Sequence, residues 1–473
     1  MHGLKITILN GSPKGMTSVT MQYLKYLEKR FPEHSFNFIS VAQKFSKYEK
    51  NEDALIKDLN QVAESDLVIW AYPLYFLTVC SQYKRFIELI FERNLENYFS
   101  GKYTAILSTS IHFFDSTALD YIHGICDDLE MNFIDSITAS MNDLGNKTFR
   151  KNLDHAFLEW IAAVNNKAAY TKYFAPIKYS NFNYEPETKS MEVIKTETET
   201  KVCIVGDLET EDSNIRKMAK TAEKAFKQSG AYTEIVDLRS FKYGPCTGCM
   251  RCGFDNICAY TGKDQFIDIH RNKVLSADII VFAGQIHDRY LSFLWQRFLD
   301  RSFNRTHIPT LTGKQITFLI SGPFAQCDNL KTTLRGYTET NGGSLTAFIS
   351  DDIEDSEKIT KAIFSLPEKM INRAENNYIQ PKGFLGEAGH KVFRDDIFSH
   401  LKFVFQEDHK YYKKNGLYDF PHKKRMMRFM SSFMVLLTKF PGIRKKINGG
   451  LREGMLVQFT KSLEKVKPYN GNY

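Results

Sequence analysis

The chain has 473 residues and a formal net charge of +8. This length suggests about three domains and is enough to bury hydrophobic cores without disulfide bonds. The basic excess is confined to residues 381–473, which hold 19 Lys and Arg against 8 Asp and Glu. A nearly neutral body argues against nucleic-acid binding. No signal-peptide pattern is found, and no apolar run reaches the ~20 residues of a membrane span, so a cytoplasmic location is expected.

Residues 1–170 alternate short apolar segments with segments of helical spacing. The predicted strands are Lys5–Leu9, Phe36–Ser40, Leu67–Ala71, Tyr103–Thr109 and Asn132–Ala139. The predicted helices are Thr17–Arg30, Glu49–Glu64, Gln82–Glu92 and Ser116–Leu129. Such an alternation predicts a parallel sheet with helices on both faces.

Residues 200–375 repeat this order after a linker. The linker, residues 171–199, is rich in Thr and charge and has room for one edge strand at most. The predicted strands that follow are Lys201–Val205, Thr233–Asp237, Asp278–Ala283, Gln315–Ser321 and Ser344–Ser350. The predicted helices are Ile215–Ser229, Gln265–Leu275, Tyr290–Phe303 and Asp328–Thr340. Two units of similar length and order indicate a duplicated, doubly wound α/β domain.

Residues 376–473 form a basic extension that does not continue this alternation. Its predicted helices are Lys391–Lys414, Lys423–Phe440 and Gly450–Val466, separated by Gly and Pro. The middle helix begins with basic residues, becomes apolar and is too short to span a bilayer. We expect it to pack on the body of the protein or on a partner subunit; peripheral contact with an anionic membrane is the less favoured alternative.

Half of the eight cysteines lie in one 13-residue stretch with the spacing C-x2-C-x2-C-x5-C. They are Cys246, Cys249, Cys252 and Cys258. Thiolates at this spacing suit a 4Fe–4S cluster, and four thiolates also suit tetrahedral zinc. An unmetallated thiol loop is the third alternative, because spacing alone does not decide among them. The other four cysteines are expected to be buried and reduced: Cys80, Cys126, Cys203 and Cys327.

The first predicted strand ends in a loop with the chemistry of a phosphate site. Gly11 and Gly15 allow tight turns, and the next helix presents free N–H groups and its positive dipole end. The loop also supplies hydroxyl groups and one cation, from Ser12, Lys14, Thr17 and Ser18. It lacks the spacings of a dinucleotide-binding loop and of a Walker loop.

This loop, Gly11-Ser12-Pro13-Lys14 followed by Thr17 and Ser18, resembles the FMN-phosphate loop of the flavodoxin-like NAD(P)H-dependent FMN reductases. The segment Tyr72–Thr78 is similar to the P-x-Y loop of that family, which lies against the isoalloxazine, and Ser108–His112 falls where its third flavin loop is found. The resemblance implies an FMN site in the first domain. Its residues would be Ser12, Lys14, Thr17, Ser18, Pro73, Leu74, Tyr75, Phe76, Ser108, Thr109 and His112.

The second unit resembles the iron–sulfur flavoproteins, in which a flavodoxin-like domain carries a compact cysteine motif after its second strand. This resemblance implies that Cys246–Cys258 hold a 4Fe–4S cluster. The unit departs from the pattern at its own first loop, where Asp207, Glu209 and further acids replace Ser-Pro-Lys. Because these carboxylates repel a phosphate at close range, we expect the second unit to bind FMN poorly or not at all.

Together the two resemblances imply an FMN-dependent NAD(P)H oxidoreductase. Electrons would pass from the nicotinamide through FMN, and through a 4Fe–4S cluster if one is bound, to a small-molecule or protein acceptor. A homodimer is expected. The sequence identifies no catalytic side chain and does not choose between NADH and NADPH. Two alternatives stay open: an electron-transfer iron–sulfur flavoprotein without direct NAD(P)H use, and a non-catalytic zinc-binding or scaffold protein.

Overall fold

A computed structural model describes residues 3–187, 191, 193–195, 197–447 and 463–464. The chain divides into two compact units, Met1–Tyr411 and Tyr412–Tyr473. The larger unit contains both predicted α/β domains and the first part of the basic extension.

The first domain is built on a five-stranded parallel sheet. Its strands are β1 Lys5–Asn10, β2 Ser35–Ile39, β3 Leu67–Pro73, β4 Tyr103–Thr109 and β5 Asn132–Ala139. Its helices are α1 Val19–Arg30, α2 Val41–Lys50, α3 Glu52–Ala63, α4 Ser81–Glu92, α5 Asp115–Asp128 and α6 Lys147–Asn165. The strand order β2-β1-β3-β4-β5 is that of the flavodoxin-like doubly wound fold.

The second domain repeats this topology. Its strands are β6 Lys201–Gly206, β7 Tyr232–Asp237, β8 Ile279–Gln285, β9 Gln315–Ser321 and β10 Ser344–Ser350. Its helices are α7 Asn214–Gln228, α8 Cys252–Asp255, α9 Phe266–Asp268, α10 Phe293–Ser302, α11 Asp328–Thr340, α12 Ser356–Phe364 and α13 Leu366–Glu375. The order β10-β9-β8-β6-β7 matches the first sheet strand for strand, so the predicted tandem α/β class is confirmed.

Several predicted elements have different limits. The single helix predicted over Glu49–Glu64 is two helices, because the chain turns at Asn51, whose side chain caps α3 through the N–H of Ala54 at 3.0 Å. The helix predicted over Gln265–Leu275 is α9 followed by a π-helical turn at Ile269–Val274. The described part of residues 171–199 contains no strand, and its Tyr184 is fully buried in the core of the second domain.

The basic extension contains α14 Phe384–Asp396, α15 Gln406–Lys414 and α16 Arg425–Leu437. The helix predicted over Lys391–Lys414 is therefore interrupted between α14 and α15. No residue of α16 is buried in the single chain. The helix predicted over Gly450–Val466 lies almost entirely outside the described residues. Among the helices that are described, none has the length and apolar character needed to cross a membrane.

The two α/β domains pack through equivalent helices. Helix α4 lies against α10, and α5 lies against α11, and one hydrophobic core continues from the first sheet to the second. The ends of α4 and α10 cap each other. The N–H of Ser81 donates to Asp300 at 2.8 Å, and the N–H of Phe293 donates to Glu88 at 2.7 Å. This reciprocal capping gives the interface a pseudo-twofold character.

A buried charge cluster lies in the same interface. Lys84 is 0% exposed and bonds to Glu88 at 2.9 Å and to Asp288 of the second domain. Tyr121 donates its hydroxyl to Asp288 at 3.2 Å. Burial raises the pKa of Asp288 to about 7, and the ammonium of Lys84 opposes that rise. Because each charge here depends on a partner from the other domain, the cluster ties the two domains together.

Replacing Lys84 tests this interface. Lys84→Met should lower the free energy of unfolding by about 3–5 kcal/mol, because it leaves Asp288 as a buried acid without its cation. The double variant Lys84→Met/Asp288→Leu should recover most of that loss. Urea unfolding of both variants measures the effect, with Lys57→Met on the exposed side of α3 as the control. Equal stability of Lys84→Met and the control would contradict the role given to this cluster.

Candidate cofactor site

Three loops of the first domain meet at the carboxyl ends of β1, β3 and β4. The N–H of Leu74 donates to the carbonyl of Thr109 at 2.8 Å, which joins the second and third loops. The hydroxyls of Thr20 and Thr109 lie 2.7 Å apart, and the thiol of Cys80 donates to the carbonyl of Gly11 at 3.2 Å. Open α/β sheets bind ligands at this edge.

The first loop uses three of its hydroxyls to hold its own shape. Ser12 is 1% exposed, and its oxygen accepts the N–H of Lys14 at 3.2 Å. Ser18 caps α1 by accepting the N–H of Met21 at 3.3 Å, and Thr17 donates its hydroxyl to the carbonyl of Lys14 at 2.8 Å. The side chain of Lys14 is exposed. The loop therefore presents a cation to solvent beside the N-terminal end of α1, where the N–H groups of the first turn suit an anion.

The second loop turns sharply after β3, which ends at Pro73. The N–H of Tyr75 donates to the carbonyl of Thr78 at 2.9 Å, and Leu77 has a φ of 62°. The ring of Phe76 packs on Tyr337 of the second domain at 5.8 Å between centroids. Burial raises the pKa of Tyr75 above its usual value, and the neighbouring Cys246 thiol contributes to the same direction. This loop is thus enclosed by the second domain.

The predicted residues of the third loop do not all face the other two loops. Thr109 contacts the first loop through Thr20, as described above, but the hydroxyl of Ser108 lies 3.4 Å from that of Thr138 on the neighbouring strand. His112 has a φ of 58°, and its Nδ1 lies 3.1 Å from a carboxylate oxygen of Asp115. The structure therefore brings Thr109 to the meeting point of the loops and engages Ser108 within the sheet.

The cysteine segment of the second domain lies against the first and second loops of the first domain. Gln82 donates to the carbonyl of Cys246 at 2.8 Å. Gly248 has a φ of 66°, and a Cβ added there would lie 2.1 Å from the hydroxyl of Tyr75 and 3.1 Å from Cε of Lys14. Only glycine allows the backbone so close. The four-cysteine motif and the predicted flavin loops are thus neighbours within one chain.

Two arginines, the buried Arg301 and the half-buried Arg271, hold the cysteine segment from the other side. Arg301, whose side chain is 1% exposed, donates to the carbonyl of Gly244 at 2.7 Å and to both oxygens of Asp264 at 2.7 and 3.0 Å. Its second terminal nitrogen lies 3.9 Å from Sγ of Cys258. Arg271 donates to the carbonyl of Asn256 at 2.9 Å. These contacts place positive charge beside the thiols.

The thiols of the motif are close enough to affect one another. Burial raises the pKa values of Cys246 and Cys252 to about 12, and the neighbouring cysteines of the motif add to both shifts. Four thiols on one partly exposed loop are a donor set that fits a 4Fe–4S cluster. The same four thiols also suit tetrahedral zinc.

The first loop of the second domain is neutralised by its own neighbours. Arg239 bonds to Asp207 and donates to Glu209 at 2.8 Å, while Nε2 of His287 lies 3.1 Å from Glu209. Burial alone would lower the pKa of His287, but the hydrogen bond to Glu209 raises it. Ser292 donates to Asp207 at 2.6 Å. The carboxylates of this loop therefore have cationic partners, and weak FMN binding by this domain stays a prediction.

Sequence reasoning missed three residues that build this site: Gln82, Gly248 and Arg301. The sequence pattern identifies Gln82 only as the first residue of a predicted helix, and Gly248 only as a spacer residue within the cysteine motif. Arg301 lies in α10, where one arginine in a helical pattern is usually solvated. The one available signal was the positive-φ preference of glycine at Gly248, which indicates a close backbone approach without naming its partner.

Substituting Gly248 tests the contact between the cysteine segment and Tyr75. Gly248→Ala should push the segment away from Tyr75 and speed alkylation of Cys246 in metal-free protein, measured by mass spectrometry of the modified peptide. Gly262→Ala is the matched control, because Gly262 also has a positive φ, of 73°, but an added Cβ there meets no atom within 4 Å. Equal acceleration in the two variants would mean that backbone strain, and not contact with Tyr75, protects the thiol.

Two family models match this chain, one in each α/β domain. Residues 4–164 match the model described as flavodoxin-like fold, and residues 201–343 match the model described as NADPH-dependent FMN reductase. The second match falls on the domain whose first loop carries Asp207 and Glu209. An iron–sulfur flavoprotein of Archaeoglobus fulgidus is 31% identical over 101 residues, which cover 21% of this chain and 44% of that protein. The chain thus aligns with less than half the length of this curated relative.

Solved structures of similar fold each cover about one third of the chain. The apo form of NADH:FMN oxidoreductase EMOB is 16% identical, with 34% of this chain and 89% of that chain covered and a TM-score of 0.30. An FMN-dependent NADH-azoreductase from Bacillus anthracis, in complex with FMN, is 11% identical, with 37% and 99% covered and a TM-score of 0.30.

Proposed function

We propose that this chain, which carries a flavodoxin-like domain and an NADPH-dependent FMN reductase domain in tandem, is an FMN-dependent NAD(P)H oxidoreductase. In this proposal the first domain binds FMN and the second domain binds a 4Fe–4S cluster. The electrons leave to a small-molecule acceptor or a redox protein. One observation carries the proposal: the segment Cys246–Cys258 lies on Lys14 and Tyr75, two residues of the predicted flavin loops.

The first domain offers the better flavin site of the two. Lys14 and Thr17 are exposed at the N-terminal end of α1, where an anion is stabilised by free N–H groups and the helix dipole. The corresponding loop of the second domain instead carries Asp207 and Glu209, already bonded to Arg239. FMN, when bound, supplies hydride acceptance from the nicotinamide and release of electrons in ones or twos.

Several side chains shape the predicted flavin site and shield it from water. Ser12 and Ser18 fix the first loop by internal hydrogen bonds, so its donors are oriented before an anion arrives. Tyr75 and Phe76 are covered by the second domain, which excludes water from one side of the loop. Exclusion of water strengthens every electrostatic contact inside the site.

The cysteine motif would hold the cluster, and two features of the chain support that assignment. The four thiols lie on one partly exposed loop of the second domain, at the spacing that suits a 4Fe–4S cluster. The guanidinium of Arg301 lies 3.9 Å from Sγ of Cys258, and a nearby buried cation favours a more negatively charged cluster. The Archaeoglobus relative, an iron–sulfur flavoprotein, supports the same pairing of cofactors.

Because the two domains lie in tandem, one chain already contains a dimer-like pair of α/β domains. Equivalent helices of the two domains, α4 with α10 and α5 with α11, form a twofold-like interface inside one chain. In this proposal the second domain contacts the predicted flavin loops from within the same chain. The acceptor and the choice of nicotinamide stay part of the proposal to be tested.

Charge changes in the first loop test where FMN binds. Ser12→Asp and Lys14→Glu should each weaken FMN binding at least about tenfold, because each places negative charge beside the phosphate. Glu209→Gln and Glu211→Gln in the second domain are the controls and should leave FMN binding unchanged. Fluorescence titration of flavin-free protein with FMN measures all four. If only the second pair of variants loses FMN binding, FMN binds the second domain and the proposed assignment is wrong.

Removing one cysteine tests the cluster. Anaerobically purified protein should contain four iron and four acid-labile sulfide per chain in round terms, and Cys252→Ala should lose both while FMN stays bound, since one ligand of four is removed. Cys327→Ala, a buried cysteine of the second domain outside the motif, is the control. Stoichiometric zinc, or FMN without iron and sulfide in the wild type, would exclude the cluster.

A further inference from the structure

The apolar side chains of α16 are the most exposed apolar group in the described part of the chain. Eight of them between Met426 and Leu436 are between 42% and 72% exposed. Soluble surfaces rarely expose so many contiguous apolar side chains, and such a patch marks an interaction site. Neither the flavin loops nor the cysteine motif uses this helix.

Most of the apolar residues of α16 share one side of the helix. Met426, Met430, Phe433 and Leu437 follow at spacings of four, three and four, which align along a helix with 3.6 residues per turn. Phe429 and Leu436 flank this stripe. The opposite side carries Arg428, Ser431 and Ser432 together with Val435, so the helix is amphipathic in its first two turns and apolar all round in its last turn.

The charge around this face selects its partner. Residues 421–447 contain eight Lys and Arg and no Asp or Glu. A second copy of the helix would bring like charges together, which disfavours self-association. An anionic surface that accepts an apolar face satisfies both features at once, and a basic amphipathic helix with Phe and Leu on one side is the form that lies in a bilayer interface.

We propose that α16, with its basic flanks Lys423–Arg425 and Arg444–Lys446, binds the surface of an anionic lipid bilayer. The apolar face enters the boundary between headgroups and acyl chains, while the Lys and Arg side chains contact lipid phosphates. The helix lies in the plane of the interface, since no described helix is long and apolar enough to cross a membrane. This proposal is independent of the flavin and cluster assignments.

The test is flotation of the full-length protein with two kinds of vesicle. One contains phosphatidylcholine alone, and the other contains equimolar phosphatidylcholine and phosphatidylglycerol. The protein should float with the anionic vesicles and not with the neutral ones, and added salt should release it. Arg428→Glu/Lys439→Glu should lower the partition coefficient at least about 25-fold, since each basic residue at an anionic surface contributes roughly fivefold. Phe429→Ser/Phe433→Ser should lower it at least about tenfold.

Matched controls separate this face from the surface in general. Lys29→Glu/Lys57→Glu reverses two charges on the first domain, and Phe384→Ser removes a phenyl ring that is 83% exposed on α14; both should float like the wild type. FMN content, compared across all variants, reports whether each one is folded. The proposal is overturned if the wild type does not float with anionic vesicles, or if the α16 variants float as well as the controls. Size-exclusion chromatography that shows a dimer lost only in Phe429→Ser/Phe433→Ser, without flotation, would assign the face to a second copy instead.

Discussion

The packing of α4 against α10 is the contact on which the rest of the structure depends. Lys84, Glu88 and Asp288 are buried there with their charges paired across or along the helices. Removing one member of such a buried group is strongly unfavourable because its partner is left without compensation. A slip of one helical turn between the domains would separate the same groups, and it would also break both reciprocal helix caps. We infer that these groups hold the two domains in a single register.

That register determines what the second domain presents to the first. Helix α4 begins directly after the second predicted flavin loop, and α10 carries Arg301 on its buried side. Fixing the two helices against each other therefore fixes Tyr75 against the segment that contains Cys246. The closeness of Gly248 to Tyr75 follows from helix packing at some distance from either cofactor position. The packing of α4 against α10 therefore also sets the geometry of the proposed electron path.

The two domains share a topology but have diverged in their loops. The first keeps Ser12 and Lys14 in its first loop, whereas the second has Asp207 and Glu209 with Arg239 as their cation. The carboxylates are stable there because they are paired, and the same pairing engages Arg239. One topology with two different first loops thus carries the predicted flavin loops in one domain and the cysteine motif in the other.

The sequence predicted the sheets well because the central strands are continuous apolar runs and the edge strands β5 and β10 are short β-branched and aromatic segments that follow predicted helices. The limits of β4, β5, β9 and β10 agree with the prediction residue for residue. The break at Asn51 was missed because helical spacing continues across it. The contacts of Gln82 and Arg301 join residues far apart in the chain and leave no local pattern. For α16, the sequence pattern does not choose between packing on protein and contact with lipid, because apolar spacing is the same whether a helix faces a core or a lipid surface.

The proposed electron path requires that the nicotinamide reduce both FMN and the cluster. Reduction of each cofactor can be observed directly. The most direct measurement is the visible spectrum of anaerobically purified protein, recorded before and after addition of NADH or NADPH. The account predicts a flavin band over a broad iron–sulfur absorption, with both bleaching when the nicotinamide is added. A flavin band that bleaches without any iron–sulfur absorption, or a cluster absorption that nicotinamide leaves unchanged while the flavin bleaches, would contradict it.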